Sequence, residues 1–411
     1  VFLSTCQEIL VSPFDRIHGR TPIKKAKERE IIRFFMIGTG AAGKTTVVRQ
    51  LKCLCKERPK NYKVYDEEWN QIAIENIFPV EEMAQFLKII RINITVAIYN
   101  LIQQTTYWGH ECQPSESVRT IMTLIERTYM EGRSTFDMQI PSTLGEDILQ
   151  VLKDTHITKT LEMHYKMNQK WRIEDGTLNF LSENQIKRLF DDDVELTTTD
   201  IVHTRYPTTD AQDFRFSIND MNIQIHDMGG QPTELTKLPD FMRQWIADNR
   251  ESYRNFLLLV TSMADFNIED LNEPGRTAMD RSIRIVDRVL SEDTLQNCGV
   301  MIFFNKQDRF DSIVEILQET EEGRIEIDKY LGETLTEESR EQLRKGCCSE
   351  KALHEAIHHK YDKVINMKRK GGKGVYMRCT QAVDPKIMNA IFKVIQNEII
   401  TYLIDNVNYI M

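Results

Sequence analysis

Residues 38–45 read Gly-Thr-Gly-Ala-Ala-Gly-Lys-Thr, a glycine-rich pattern suited to holding a polyphosphate. The β-prone apolar run 31–37 precedes this loop, and apolar residues recur at helical spacing over 47–54. A strand, a loop and a helix therefore follow in the order that aims backbone N–H groups at phosphate. Lys44 would add a point charge, and the Thr45 hydroxyl could ligate Mg²⁺. The predicted nucleotide contacts of this loop are Gly38, Thr39, Gly40, Ala41, Ala42, Gly43, Lys44, Thr45 and Thr46.

The choice of base comes from residues 305–308, Asn-Lys-Gln-Asp, which directly follow the apolar run 300–304. The Asp308 carboxylate can accept hydrogen bonds from guanine N1–H and N2–H₂, whereas adenine offers no such pair of donors. Lys306 can lie over the base, and Asn305 can tie this segment to the phosphate loop. At the end of a late strand in a phosphate-loop protein, the pattern predicts a guanine nucleotide site.

A third segment, Asp-Met-Gly-Gly-Gln at 227–231, follows the predicted strand 223–226. Asp227 could orient Mg²⁺ through a water molecule, and Gly230 could offer its N–H to a γ-phosphate. Gln231 could position the water that attacks this phosphate. The segment is therefore a candidate for the hydrolytic part of the site.

Upstream of it, residues 204–209 supply a cation and a hydroxyl. Arg205 could stabilise the charge that develops in the transition state, and Thr208 could be a second ligand of the metal. Considered alone, Arg205 is typical of a surface arginine. Its place just before the Asp227 strand favours the catalytic interpretation.

The elements that position these residues follow from the length and periodicity of the chain. Its 411 residues exceed one ordinary core, so we expect two domains. Helical periodicity dominates residues 60–196, which predicts an all-α module inserted into an α/β domain. Asp384 and Pro385 form an N-cap and first-turn pair, which predicts the start of a C-terminal helix. A hairpin with its turn at residues 219–222 is predicted over 214–226, and apolar runs at 256–260, 300–304 and 375–377 alternate with helices. This alternation predicts a mostly parallel, doubly wound sheet.

Composition narrows the class of partner. The net charge of −9 argues against nucleic acid. Residues 1–60 hold 13 Lys/Arg and 5 Asp/Glu, which suits an anionic membrane surface or, equally, a solvated helix face. No apolar run approaches the roughly 20 residues of a membrane span, and the 8 cysteines lack the regular spacing of a disulfide framework. The chain opens on Val1, so we expect its N-terminus to be incomplete and its lipidation unreadable.

Together these motifs resemble a heterotrimeric G-protein α subunit across nearly all of the chain. The resemblance depends on G-T-G-A-A-G-K-T-T, D-I-V-H-T-R-Y-P-T-T, D-M-G-G-Q, N-K-Q-D, T-Q-A-V before the last helix, and the helical insert. It implies a Ras-like doubly wound P-loop GTPase domain formed by residues 1–59 and 197–411, with an N-terminal helix region at 1–30. The inserted all-α helical domain would be residues 60–196.

The resemblance also implies roles for single residues. Arg205 would be the built-in arginine finger and Gln231 the water-positioning residue. Thr45 and Thr208 would ligate Mg²⁺, with Asp227 acting through water. Ala382 would present its backbone N–H to guanine O6. The other implied nucleotide contacts are Asp175, Gly176, Val202, His203, Thr204, Arg205, Thr208, Asp227, Gly230, Asn305, Lys306 and Asp308.

The implied function is that of a signal transducer which binds GTP and GDP with Mg²⁺ and hydrolyses GTP. As the α subunit of a heterotrimer with a βγ dimer, it would couple G-protein-coupled receptors to effectors. Such a subunit lies peripherally at the cytoplasmic face of the plasma membrane.

The chain departs from the family at two functional segments. Ala41 and Ala42 stand where the family's loop usually has Glu-Ser, which removes a carboxylate that would pair with Arg205. We therefore expect the ion pair between the phosphate loop and Arg205 to be lost. GDP should then leave faster than it would with Glu restored at position 41. Residues 232–238 replace the family's R-S-E-R-K-K-W in the activation-sensitive helix, which alters the surface for βγ and effectors.

Two rival interpretations stay open at this point. Residues 354–358 spell H-E-x-x-H, so two imidazoles on one helix face could bind Zn²⁺, with Glu355 as the general base of a peptidase. The altered segment 232–238 also permits a nucleotide-binding scaffold with little hydrolysis. Metal analysis would separate the first rival, and single-turnover GTP hydrolysis the second.

Overall fold

The computed structural model describes residues 30–205, 212–229, 238–247, 253–270, 273–295, 298–369 and 375–407. The N-terminal helix region expected at 1–30 lies outside the described residues, apart from Glu30. Residues 232–237 of the altered segment also lie outside the described residues. The same holds for the site residues Thr208, Gly230 and Gln231.

Within the described residues, seven strands form one sheet, in the order β2-β3-β4-β1-β5-β6-β7. Neighbouring strands from β4 to β7 are parallel, whereas β3 pairs antiparallel with both β2 and β4. The predicted mostly parallel, doubly wound sheet is therefore confirmed. The strands are β1 Ile31–Ile37, β2 Tyr62–Tyr65, β3 Gln212–Ile218, β4 Met221–Asp227, β5 Tyr253–Ser262, β6 Gly299–Asn305 and β7 Val375–Cys379.

The central strand β1 shows why the sheet is covered on both faces. All seven of its residues are buried, so its sequence is a nearly continuous apolar run and does not alternate. Phe34 packs into a core on one face of the sheet, and Phe35 packs into a second core on the other face. Successive side chains of a strand point to opposite faces, so one run of residues builds both cores.

The antiparallel hairpin β3–β4 turns through Asn219 and Asp220. Both residues have positive φ, 45° and 69°, which the primed two-residue turns of tight hairpins require. Asn and Asp tolerate this conformation better than most residues. The hairpin predicted over 214–226 is therefore confirmed, but its turn is two residues instead of the predicted four, and its strands are longer.

Strand β2 corrects one predicted boundary. Residues 60–196 were expected to be all helical, but Tyr62 pairs with Ile218 and Tyr65 with Arg215 at the edge of the sheet. The sheet domain therefore continues past residue 59, and the helical insert begins after β2. Four residues are too few for a two-residue periodicity to emerge above a helical background.

Helices cover both faces of the sheet and build the insert. α1 and the C-terminal helix α15 pack on one face, and α10, α11 and α14 pack on the other. The helices outside the insert are α1 Lys44–Glu57, α8 Thr198–His203, α9 Leu238–Ala247, α10 Ala278–Leu290, α11 Gln307–Gln318, α12 Glu321–Leu331, α13 Glu337–Arg344, α14 Glu350–Lys368 and α15 Pro385–Val407. Asp384 caps α15, as predicted, because its carboxylate accepts a 2.7 Å hydrogen bond from the Lys386 backbone.

The insert has its own hydrophobic core, arranged around the long helix α2. By length and composition the segment 74–107 could cross a membrane, yet Ile90, Ile94 and Leu101 of α2 are fully buried among the other helices. This is the position of a core helix. The helices of the insert are α2 Val80–Tyr107, α3 Ser115–Met130, α4 Leu144–Leu152, α5 Thr155–Glu162, α6 Asp175–Leu178 and α7 Glu183–Leu189.

Candidate functional site

The carboxyl ends of the parallel strands open into a cleft between the sheet domain and the insert. This is where ligands bind in doubly wound sheets. Sixteen of the predicted contacts line the cleft: Gly40, Ala41, Gly43, Lys44, Thr45, Thr46, Asp175, Gly176, Val202, His203, Thr204, Arg205, Asn305, Lys306, Asp308 and Ala382. Five lining residues were not predicted: Arg49, Glu174, Asn179, Arg309 and Val383.

The phosphate loop lies directly on strand β5. An added Cβ at Gly38 would lie 2.1 Å from the Val260 carbonyl oxygen, so only glycine fits there. Lys44 begins α1 and folds back over the loop, where its Nζ donates to the carbonyl oxygens of Gly38 at 2.9 Å and Thr39 at 3.1 Å. The lysine ammonium and the first N–H groups of α1 therefore converge on one side of the loop.

Asn305 ties three segments of the cleft together through its buried side chain. Its Nδ2 donates to the Ala42 carbonyl at 2.9 Å, which is the tie to the phosphate loop that the sequence predicts. Its Oδ1 accepts from the Ala382 N–H at 2.9 Å and from the Thr380 hydroxyl at 3.2 Å. Asp308, three residues further on, lines the same cleft. One amide thus joins the glycine-rich loop, the segment that carries Asp308 and the segment at Ala382.

Asp227 and Thr45 form an oxygen-rich corner that fits a hard cation. The Thr45 hydroxyl donates to Asp227 Oδ2 at 3.1 Å. Asp227 Oδ1 is buried, and no donor within the described ranges bonds to it. Burial raises the pKa of Asp227, which a nearby cation would lower again. Oxygen ligands of this kind suit Mg²⁺.

Arg49, which sequence reasoning missed, holds the segment that carries Arg205. Its guanidinium donates to the Thr204 carbonyl and lies 5.3 Å from the centre of the Phe86 ring. Burial lowers the pKa of Arg49 to about 10, so it stays charged at neutral pH. Asn93 Nδ2 of the insert donates to the Arg205 carbonyl at 2.9 Å, and so fixes the other side of the same segment. Arg49 could have been found from its spacing, because it lies one helical turn beyond Thr45.

Arg205 pairs with a carboxylate of the insert, although the loop carboxylate expected from the family is absent at Ala41. Its Nε lies 3.5 Å from Glu174 Oε1, and both residues line the same cleft as Ala41. The carboxylate comes from the insert, directly before the predicted contact Asp175. The phosphate loop therefore lacks the family's acid, but the insert places another acid, Glu174, beside Arg205.

Asp175 is the most firmly held acid of the cleft. Its side chain lies 3.0 Å from Lys306 Nζ and 3.2 Å from Arg309 Nε. Burial would raise the pKa of Asp175, but Lys306, Arg172 and Arg309 outweigh that effect and hold it at about 2. The insert is thus bound through Asp175 to the segment expected to read the base. Arg309 was not predicted as a site residue, although its position directly after Asp308 could have indicated it.

The zinc-peptidase pattern lies elsewhere, on α14, and its two imidazoles have separate partners. His354 Nε2 lies 2.5 Å from Asp311 Oδ1. His358 stacks on Phe304, with 4.5 Å between ring centres, and its Nε2 lies 3.2 Å from Cys379 Sγ. Across the described residues, no group of three His, Cys, Asp or Glu side chains could hold a metal. The helix is a packing element on the second face of the sheet.

Comparison with known proteins decides the family. The family model of the G-protein alpha subunit matches residues 14–399. The chain belongs to this family. A Dictyostelium discoideum protein named guanine nucleotide-binding protein alpha-6 subunit is 23% identical over 375 residues, which covers 91% of each chain. A Caenorhabditis elegans protein of the same name is 24% identical over 318 residues, 76% of this chain and 75% of the relative.

A third relative, the guanine nucleotide-binding protein G(o) subunit alpha of Locusta migratoria, is 21% identical over 288 residues, 69% of this chain and 70% of the relative. The resemblance deduced from the motifs is confirmed, and with it the fold class. This G-protein alpha subunit is therefore a guanine nucleotide-binding protein of signal transduction.

Gly43 offers a direct test of the site geometry, because it has a φ of +100° and a Cβ there would lie 2.2 Å from Asn305 Nδ2. We expect Gly43→Ala to weaken binding of fluorescent GDP by about tenfold or more, since both the loop and Asn305 must shift. Gly275→Ala is the matched control: its φ is +81°, but no atom lies within 4 Å of the added Cβ. Equal GDP affinity in the two variants, measured by titration, would show that the contact with Asn305 does not shape the site.

Proposed function

We propose that this protein binds GDP and GTP with Mg²⁺ in the cleft and hydrolyses GTP. The observation that carries the proposal is the Asn305 side chain, which joins the phosphate loop to the segment bearing Lys306 and Asp308. A nucleoside polyphosphate has two unlike ends, and the cleft supplies a recognition group for each. Phosphates would meet the N-terminus of α1 and Lys44, and guanine would meet Asp308.

Recognition of guanine would depend on the environment of Asp308. Burial raises the pKa of its carboxyl group, because a partly buried charge is less well solvated by water. Two hydrogen bonds from the guanine edge would replace that solvation, and hydrogen bonds to a charged group in a poorly solvated place are strong. Adenine would leave the carboxylate without its donors.

Hydrolysis would be assisted by Arg205, Gln231 and the oxygen-rich corner of Thr45 and Asp227. Mg²⁺ held by Thr45 and Thr208, with Asp227 acting through water, would neutralise charge on the β- and γ-phosphates. Arg205 lines the cleft and would stabilise the charge that develops in the transition state. Gln231 would orient the attacking water, a role inherited from the family.

The biological setting is proposed from the family: a heterotrimer with a βγ dimer, activated by a G-protein-coupled receptor and acting on an effector. A basic segment supports a peripheral place at the cytoplasmic face of the plasma membrane, because residues 1–60 carry 13 Lys/Arg against 5 Asp/Glu. The net charge of −9 argues against nucleic acid as the main partner.

Asp308→Asn tests the choice of base. The substituted amide can donate to the second carbonyl of xanthine but cannot accept both guanine protons, so we expect GDP affinity to fall by about ten- to a hundredfold and xanthosine diphosphate to bind instead. Competition titrations with both nucleotides measure this exchange. Glu315→Gln, an exposed acid on the same helix α11, controls for the loss of one charge. Wild-type protein that binds ATP as tightly as GTP would refute the assignment.

Arg205→Cys and Gln231→Leu test turnover. Because both residues act mainly on the transition state, we expect each change to slow single-turnover GTP hydrolysis by about a hundredfold while GTP stays bound. Arg127→Cys, which removes an exposed arginine paired with Glu131 in the insert, should hydrolyse GTP at the wild-type rate. Hydrolysis at one equal rate in wild type and both site variants would indicate the non-hydrolysing scaffold.

A further inference from the structure

Two adjacent acids of the insert, Glu174 and Asp175, each hold a cation on the other side of the cleft. Glu174 lies 3.5 Å from Arg205, and Asp175 lies 3.2 Å from Arg309. We propose that Glu174 is a positioning residue which, if the cleft binds guanine nucleotide as proposed, holds Arg205 across the cleft and slows release of the nucleotide.

The turn that carries these acids is pressed against the sheet domain. A Cβ added to Gly176 would lie 2.3 Å from the His203 carbonyl oxygen, so the two backbones are already in contact. His203 ends α8, which packs with α1 in the core of the sheet domain through Ile201 and Val202. The turn formed by residues 174–176, at the start of α6, is thus fixed in position at Gly176.

Asp175 fixes the same turn at its second residue. Its side chain is 19% exposed and is shared between Lys306 and Arg309. Because Asp175 and Gly176 are both anchored, the backbone of Glu174 is already largely fixed. Its pairing with Arg205 therefore costs little further backbone entropy. A pair between pre-positioned groups costs less conformational entropy than one between two free surface side chains.

The two cations line the cleft from different segments of the sheet domain. Arg205 belongs to the phosphate end, next to the segment held by Arg49, whereas Arg309 directly follows the predicted base-reading residue Asp308. Glu174, Asp175 and Gly176 line the same cleft and pair with cations of both segments. A bound nucleotide would therefore leave only after the turn moves away and the Glu174–Arg205 pair breaks.

The strength of this pair should depend on salt. The Arg205 side chain is 30% exposed and that of Glu174 49% exposed, so dissolved ions reach both. A partly exposed pair of this kind alters an opening equilibrium by about two- to fivefold. An effect of that size is measurable in a dissociation rate.

The test is release of fluorescent GDP from the full chain carrying Glu174→Gln. At low salt we expect release about two- to fivefold faster than wild type, and at about 1 M salt, where screening is short-ranged, the difference should vanish. Gly176→Ala should also speed release, because the added Cβ forces the turn from His203, but this steric effect should persist at high salt. Melting temperatures of all variants check that the chains are folded.

Two further variants decide whether Glu174 acts through Arg205. Glu183→Gln removes an exposed acid whose 2.6 Å pair with Lys187 stays within α7, and it should release GDP at the wild-type rate. In an Arg205→Cys background, Glu174→Gln should add no further acceleration. Wild-type release by Glu174→Gln alone, or the same acceleration with and without Arg205, would overturn the proposal.

Failure of the proposed function is recognised separately, in the wild-type protein. Saturable binding of fluorescent GDP to wild type, displaced by unlabelled GTP and not by ATP, must precede any comparison of release rates. Absence of that binding would overturn the nucleotide site and Glu174's role together, whereas normal binding with unaltered release in Glu174→Gln would overturn the role of Glu174 alone.

Discussion

The geometry of the cleft depends on the buried amide of Asn305. Its hydrogen bonds reach residues 263 positions before it and 77 positions after it in the chain. Each buried donor or acceptor left without its partner costs about 1–3 kcal/mol, so the three segments keep one arrangement. Gly43 adds a steric limit, because its backbone leaves no room for a side chain beside Asn305.

The balance of cations and acids in the cleft fits the ligand proposed for it. Lys44, Arg49, Arg205, Lys306 and Arg309 line one small space, and so many cations repel one another in a poorly solvated place. Four acids, Asp227, Asp308, Glu174 and Asp175, offset part of that repulsion. A phosphate chain with a divalent cation would offset the rest. The distribution of charge and the shape of the cleft therefore favour the same class of ligand.

The sequence predicts those parts of the structure whose cause is local. The phosphate loop, the Asn219–Asp220 turn and the Asp384 cap each depend on a few neighbouring residues, and the structure forms all three. Strand β2 escaped prediction because β3, the strand with which it pairs, lies about 150 residues away, and pairing at that distance leaves no local pattern. The roles predicted for Thr208, Gly230 and Gln231 stay predictions, because these residues lie outside the described ranges.

Glu174 shows a different limit of sequence reasoning. The motif at the phosphate loop predicts the loss of an acid at Ala41, but no motif predicts that another acid takes a place beside Arg205, because that contact depends on how the insert packs. Whether the acid comes from the phosphate loop or from the insert also decides whether the ion pair opposes opening of the cleft. An acid on the phosphate loop and Arg205 both belong to the sheet domain, so their pair could survive opening of the cleft. An acid on the insert must separate from Arg205 when the cleft opens, so the pair with Glu174 couples the arginine to closure.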